Sequence, residues 1–328
     1  MLLYLIAPLL LTFLMTALLL RRMIPWLKKF AGQKILEIGP RWHMSKEGTP
    51  SMGGLAFLIS TTVSVLVFGV ILFLSDETAV MLPLLYSFLY ALANGLVGIV
   101  DDRAKMKHRR NDGLTPLQKL VLQTVLALAY IALMKMSGNL TTVLAIPFTD
   151  IAMDFGYAYY YFATVLLVFF VNCANLTDGI DGLASSVAGV IAMFFAFAAF
   201  LLVKDTALLL LAATVLGGVL GFLVYNWHPA RVFMGDTGSL FLGALAASMC
   251  FMLGNPLIIL LVGIIYLIEG FSVMLQVGFY KLTKKRLFKM APIHHHFEKC
   301  GWGEVKIVCV FSVITMLGSL AIYFGISA

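Results

Sequence analysis

Ten stretches of the chain carry almost nothing but apolar side chains: 2–20, 51–74, 80–100, 117–136, 157–176, 184–203, 206–225, 238–253, 255–279 and 305–327. A helix of about twenty residues crosses a hydrocarbon core of about 30 Å. The pattern therefore predicts an all-α, polytopic integral membrane protein with about ten transmembrane helices. The eighth run is short, and Gly254-Asn255-Pro256 follows closely behind it, so its end is soft. Residues 136–156 alternate around Gly138-Asn139, Pro147 and Gly156, which reads as a small hairpin outside the membrane. The chain shows no internal repeat and no low-complexity segment.

Composition agrees. Of 328 residues, 61% are hydrophobic and 12% charged, with a mean hydropathy of +0.99, whereas soluble domains carry about 25% charged residues. No hydrophilic stretch is long enough to fold alone, so residues 1–328 read as a single transmembrane domain. The first run lacks a positive n-region, and its Arg21-Arg22 pair follows the apolar stretch, which favours a span over a cleaved signal. The four cysteines show no CxxC spacing and none lies in an outer loop, so neither a disulfide framework nor a thiolate metal site is indicated.

Charge sets the orientation. The loops after runs one, three, five, seven and nine, with their flanks, hold 21 of the 23 lysines and arginines. Only Lys135 and Lys204 fall on the other side, near Asp76, Glu77, Asp150, Asp154 and Asp205. Positive loops stay in the cytoplasm, and an even number of spans puts both termini together, on the outer side. Topology and anionic lipid headgroups account for the net charge of +7, and no nucleic-acid partner is called for.

They do not account for acids on the same face. Asp101, Asp102, Asp178, Asp181 and Asp236 all sit at the inner ends of spans or in tight loops between them. In "VNCANLTDGIDGLASS" (171–186), Asn172, Asn175 and Asp178 recur every three residues, one polar stripe as the fifth span ends. Such a stripe faces a bundle interior or a water-filled cleft, either as a binding surface or as a structural hydrogen-bond network. In "YNWHPARVFMGDTGS" (225–239), Asp236 lies between Gly235 and Thr237-Gly238. Carboxylate, hydroxyl and free amides suit a phosphate-bound Mg²⁺, but a capped helix start explains the same residues. The ninth run carries Glu269, Ser272 and Gln276 at helical spacing. The stretch "APIHHHFE" holds His294, His295 and His296, whose consecutive side chains diverge and do not form a zinc site. Imidazoles facing an anionic substrate, or transferring a proton, fit better.

Two precedents fail. A DDxxD diphosphate motif needs an acid where Lys105 stands, and the DGxxAR pattern of CDP-alcohol phosphotransferases lacks its Ala-Arg step after Asp178. What "DDRAK", "NCANLTDGIDG", "NWHPARVFMGDTGS", "HMSKEGTPSMGG" and "APIHHHFE" together resemble is the polyprenyl-phosphate N-acetylhexosamine-1-phosphate transferase superfamily. Within it they are most similar to the phospho-N-acetylmuramoyl-pentapeptide transferases, and the likeness covers nearly the whole chain.

The resemblance implies ten helices with both termini outside, in a bacterial inner (plasma) membrane. It implies transfer of phospho-N-acetylmuramoyl-pentapeptide from UDP-N-acetylmuramoyl-pentapeptide to undecaprenyl phosphate, giving lipid I and UMP, with Mg²⁺ and in a homodimer. Carried over residue by residue, Asp236 stands at the Mg²⁺-ligand position, with Asp101 as candidate base or nucleophile and Asp102 beside it. Asn175 and Asp178 match reaction-centre positions; Lys105 and Asn226 match positions near the phosphates. Lys46, Gly179, Ile180, Asp181 and Phe233 match the uridine pocket, with Phe233 stacking on the base. Gln276, His294 and His295 would face the sugar and peptide, and His296 completes that motif. Arg103 replaces the usual tyrosine, and Ser51 the usual threonine. An N-acetylglucosamine-1-phosphate transferase would share the aspartates but differ where "APIHHHFE" stands. A secondary transporter would place its ionisable groups near the midplane and usually show repeat symmetry, and a silent scaffold would have no need of five cytoplasmic acids.

Overall fold

The computed structural model describes residues 1–30, 46, 48–74, 78–108 and 113–327. His43, Met44, Ser45 and Glu47 of the quoted motif, with Lys34, Arg41, Asp76, Glu77, Arg109 and Arg110, lie outside the described residues. Among those described, ten helices are long and apolar enough to span a membrane. They are α1 (Leu2–Phe30), α2 (Gly54–Leu74), α3 (Thr78–His108), α4 (Pro116–Met136), α5 (Ala158–Thr177), α6 (Leu183–Phe197, continued as π-helix over Ala198–Val203), α7 (Thr206–Asn226) and α8 (Gly235–Met252), then, after the short α9 (Ile259–Val262), α10 (Ile264–Thr283) and, after the short α11 (Ile293–Lys299), α12 (Glu304–Ser327). The expected hairpin is present as antiparallel β1 (Val143–Ala145) and β2 (Ala152–Asp154), with Leu144 opposite Met153.

Three boundaries differ from the hydrophobic runs. Helix α1 continues past Leu20 to Phe30, because Lys28 and Lys29 in its last turn suit the negative end of the helix dipole. Helix α3 continues to His108, so Asp101 and Asp102 lie about two turns before its end rather than at it. The run 255–279 is not one helix: a 3₁₀ turn at Pro256–Ile258 and α9 precede a bend at Gly263. That bend is crowded by the Phe170 ring, which a side chain at Gly263 would strike.

Helices α7 and α8 form the centre, and α8 is buried continuously from Thr237 to Phe251. Helix α3 packs most extensively on α8 and α1 on α7, with α2, α5 and α6 closing the ring. Phe57 of α2 joins the two central helices, 5.2 Å from the Phe222 ring of α7 and 6.2 Å from that of Phe241 on α8. In lipid there is no hydrophobic force between helices, so close backbone approach through small residues carries the packing. Gly98 of α3 illustrates it: a Cβ there would collide with the Asp236 carbonyl and the Thr237 amide of α8. Large apolar side chains such as Leu66, Leu74, Val125 and Phe324 face outward, as a lipid-facing surface requires.

Gly98 therefore sets the distance between the two helices that carry Asp101, Asp102 and Asp236. Gly98→Val should cost about 1–3 kcal/mol by overpacking and lower Tm in detergent. Unchanged Tm would show that the α3–α8 contact gives way freely.

Candidate active site

Asp102 reaches from α3 to the start of α8. Its Oδ1 accepts from the Asp236 amide at 3.1 Å, and its Oδ2 from the Thr237 amide at 2.9 Å and the Thr237 hydroxyl at 2.7 Å. This is an N-cap supplied from another helix, satisfying donors that α8 cannot satisfy itself. Gly235 makes room for it: φ is +71°, and a Cβ would lie 2.6 Å from Asp102 Oδ2.

With α8 fixed, Asp236 in its first turn meets three neighbours. Lys105 Nζ lies 3.2 Å from Oδ1 and Lys119 Nζ 2.5 Å from Oδ2, while Asn175 donates to Oδ1 at 3.2 Å. The same two ammoniums flank the fully buried Asp101, at 2.7 and 2.9 Å from its Oδ2, whose Oδ1 accepts from the Leu114 amide at 2.7 Å. Three carboxylates thus face two ammoniums. Oxygens of Asp101, Asp102 and Asp236 lie within 4.8 Å of one another, an all-oxygen donor set that can hold a hard divalent cation.

A second ionic knot stands beside the first. Lys46 Nζ bridges Asp181 Oδ1 and Glu304 Oε2, each at 2.7 Å. Asp181 Oδ2 also contacts His228 Nδ1 at 2.9 Å and accepts from the Ala230 amide at 2.9 Å, and Glu304 accepts from the Asp181 amide at 3.0 Å. Burial pushes the Asp181 carboxyl upward, but Lys46, the Ala230 amide and His228 hold it below the usual carboxylate range. The loop 178–182 links the knots. At its start, burial and then the charges of Asp236, Asp102 and Asp181 push Asp178 up to about 8.

The three histidines diverge, as their consecutive positions require. His294 is fully buried with Nδ1 3.1 Å from Glu269 Oε2, His295 Nδ1 lies 2.5 Å from Glu298 Oε2, and His296 Nδ1 accepts from the Lys289 amide at 3.1 Å.

Residues 84–254 match the family model of glycosyl transferase family 4, and residues 46–58 match phospho-N-acetylmuramoyl-pentapeptide-transferase signature 1. A phospho-N-acetylmuramoyl-pentapeptide-transferase of Clostridium botulinum is 45% identical over 297 residues, covering 90% of this chain and 88% of the relative. One of Staphylococcus aureus is 41% identical over 321 residues, covering 97% and 98%. One of Carboxydothermus hydrogenoformans is 42% identical over 316 residues, covering 93% and 94%. The chain belongs to the phospho-N-acetylmuramoyl-pentapeptide transferase family.

The fold gathers most of the positions expected from the transferase family, and separates some. Asp101, Asp102, Lys105, Asn175 and Asp236 form one cluster, with Asp178 at its edge; Lys46 and Asp181 form the other. Gly179 and Ile180 lie on the loop between them, and Gly179 touches the His294 ring. Phe233 is half-buried on a segment tied to the signature stretch, its amide donating to Pro50 O and its carbonyl accepting from Gly53 N, both at 2.8 Å. Three residues are engaged elsewhere. The Asn172 amide donates to Gln123 Oε1 at 2.7 Å and Val168 O at 2.8 Å. Asn226 binds Ser185 and the Val232 carbonyl, both at 3.0 Å. Gln276 accepts from the Phe288 amide at 2.8 Å. Arg103, where the transferase family usually has tyrosine, is exposed.

Lys119, His228 and Glu304 were not singled out by sequence. For Lys119 a signal existed: Thr115 and Gln118 form a reciprocal capping box with Pro116 between them, which starts α4 and puts Lys119 in its first turns. Glu304 sits 123 positions from Asp181, and no local pattern announces the pairing.

Asp178 ionises near 8 in the fold and at the ordinary 3.8 in an unfolded chain. Such a raised carboxyl costs the fold stability progressively as pH rises between those values, and Asp178→Asn removes the cost. In metal-free detergent solution, the Tm advantage of that variant should widen from about pH 5 to about pH 8. A pH-independent difference would contradict the assignment.

Proposed function

We propose that this protein transfers phospho-N-acetylmuramoyl-pentapeptide from UDP-N-acetylmuramoyl-pentapeptide to undecaprenyl phosphate, releasing UMP and forming lipid I. The observation that carries this is the juxtaposition of Asp101, Asp236, Lys105 and Lys119 at one end of the membrane bundle, beside the loop that leads to Lys46 and Asp181. The lysine and arginine distribution supports a cytoplasmic location for that end, with both termini outside a bacterial inner membrane. There a soluble nucleotide and a membrane-anchored phosphate can meet.

The donor set fits Mg²⁺, with Asp236 as the residue that would hold it and oxygens of Asp101 and Asp102 within 4.8 Å. When bound, Mg²⁺ would neutralise the diphosphate and the charge developing on leaving UMP. Lys105 and Lys119, which bridge two carboxylates, are placed to turn to phosphate oxygens, and Lys105 is about one-third exposed. Asp102 acts by holding α8, and so Asp236, in register. Asp101 stands fully buried between the two ammoniums and, once they turn to phosphate oxygens, is the carboxylate left to attack as nucleophile or to accept a proton. On the nucleotide side, Phe233 offers a ring to the uracil, with Lys46, Gly179, Ile180 and Asp181 around it. His294 and His295 lie toward the sugar and peptide.

The signature at 46–58 and the names of the relatives favour the muramoyl-pentapeptide substrate over an N-acetylglucosamine nucleotide. The test is UMP release by detergent-purified protein with Mg²⁺ and undecaprenyl phosphate, offered each sugar nucleotide in turn. Release with the muramoyl-pentapeptide alone, lost in Asp236→Ala, is expected. Release only with the N-acetylglucosamine nucleotide would keep the chemistry and change the substrate. Lys119→Gln should lower turnover on the order of a hundredfold, as loss of one charged transition-state donor does. Full turnover would leave Lys119 only a structural counter-ion.

A further inference from the structure

Glu269 is fully buried in α10, and among the described residues it has one basic neighbour, His294 of α11. A carboxylate without water is strongly destabilising unless a partner compensates it. Nδ1 of the equally buried His294 lies 3.1 Å from Glu269 Oε2, and none of the four nitrogen and oxygen atoms meets hydrogen-bond geometry with any described residue, so this close contact is the one compensation either group has there. The opposite ring nitrogen, Nε2, lies against the backbone of Gly179, close enough that a Cβ there would collide with it. Gly179 follows Asp178 and precedes Ile180-Asp181, so Nε2 is presented on the loop between the two ionic knots.

We infer that Glu269 is the positioning residue for His294: its carboxylate takes the Nδ1–H and holds the ring with Nε2 turned to the 178–182 loop at Gly179. The inference rests on the transferase reading, in which the diphosphate and sugar pass that loop. With Nδ1 committed, Nε2 is the only ring nitrogen left for substrate, and the carboxylate behind the ring fixes both its tautomer and its orientation. The other groups facing the pair are Cys173 of α5, whose Sγ is against Gly270, and, on α11 itself, His295 with its partner Glu298. Stability alone does not require such a pair, since apolar residues of the same volume fill a buried site as well or better. What an apolar pair cannot do is aim one nitrogen at the loop.

The experiment is a double-mutant cycle on UMP release, with kcat, KM and Tm measured for the unaltered protein, Glu269→Gln, His294→Asn and the double variant. Each single change should lower kcat/KM about 10–100-fold, the usual effect of removing a partner that orients a functional imidazole. The double variant should be no worse than His294→Asn alone. Glu269→Gln keeps volume and an acceptor, so its loss should fall in kcat or KM while Tm changes little. Wild-type activity in Glu269→Gln, or losses that multiply in the double variant, would overturn the inference. If Glu269→Gln is not recovered folded, Glu269→Asp takes its place in the same cycle, with the same non-additive loss expected and additive loss overturning the inference. Absence of UMP release by the unaltered protein would strike the transferase reading instead. The cycle is then read in Tm with Glu269→Ala, which removes the carboxylate outright, in place of Glu269→Gln; non-additivity with His294→Asn supports the pairing and additivity overturns it.

Discussion

The start of α8 is fixed from outside by Asp102, a side chain of α3 that accepts two α8 amides and a hydroxyl. A helix that begins at a membrane surface with its first amides turned into the protein has unsatisfied donors and a positive dipole end. Asp102 satisfies both at once, and Gly98 and Gly235 permit it by letting backbone come where a side chain would stand. Asp236 then has a fixed position, and with it the two lysines and Asn175. Moving α8 by one turn would take Asp236 away from Asn175 and from both lysines.

The cluster is balanced so that it can be reorganised. Lys105 and Lys119 each bridge Asp101 and Asp236, holding apart carboxylates that would otherwise repel. Ion pairs of this partly buried kind contribute little net stability, because desolvation offsets attraction. Under the proposed function, the same ammoniums would exchange carboxylate for phosphate oxygens at small net cost. The excess of one carboxylate over the ammoniums leaves net negative charge at the centre, which under the proposed function would attract a cation.

The fold was legible in the sequence because lipid imposes one rule, long apolar helices, on every span. The runs located all ten helices, and missed only where a helix continued into polar residues, as α1 and α3 do, or bent under contact with a distant ring, as at Gly263. The clustering of Asp101, Lys105 and Asp236 was foreshadowed in sequence, where an acid or lysine is out of place in a membrane chain. It was not legible where a residue's partner is remote. Asp102 reads as the twin of Asp101 until α8 is seen under it. Nothing local announces that Asn172 donates to Gln123 or that Asn226 accepts from Ser185. Lys119 looked like one more topology signal, though its capping box already fixed its place.

The two ionic knots are joined by the segment from Asp178 to Asp181, three residue steps that span at most about 11 Å when extended. One side chain of this segment belongs to each knot, and the intervening Gly179 is bare enough for an imidazole to rest on it. The loop is therefore a ruler between a centre rich in carboxylate and ammonium and a centre where Lys46 is shared by two acids. A nucleoside diphosphate is a molecule of that scale, with a base at one end and charge at the other. Under the proposed function, a longer or more flexible loop would let each end of a nucleoside diphosphate bind separately and would loosen the alignment of the phosphate. The tight "DGIDG" sequence is thus better understood as a constraint on distance than as a supply of acids.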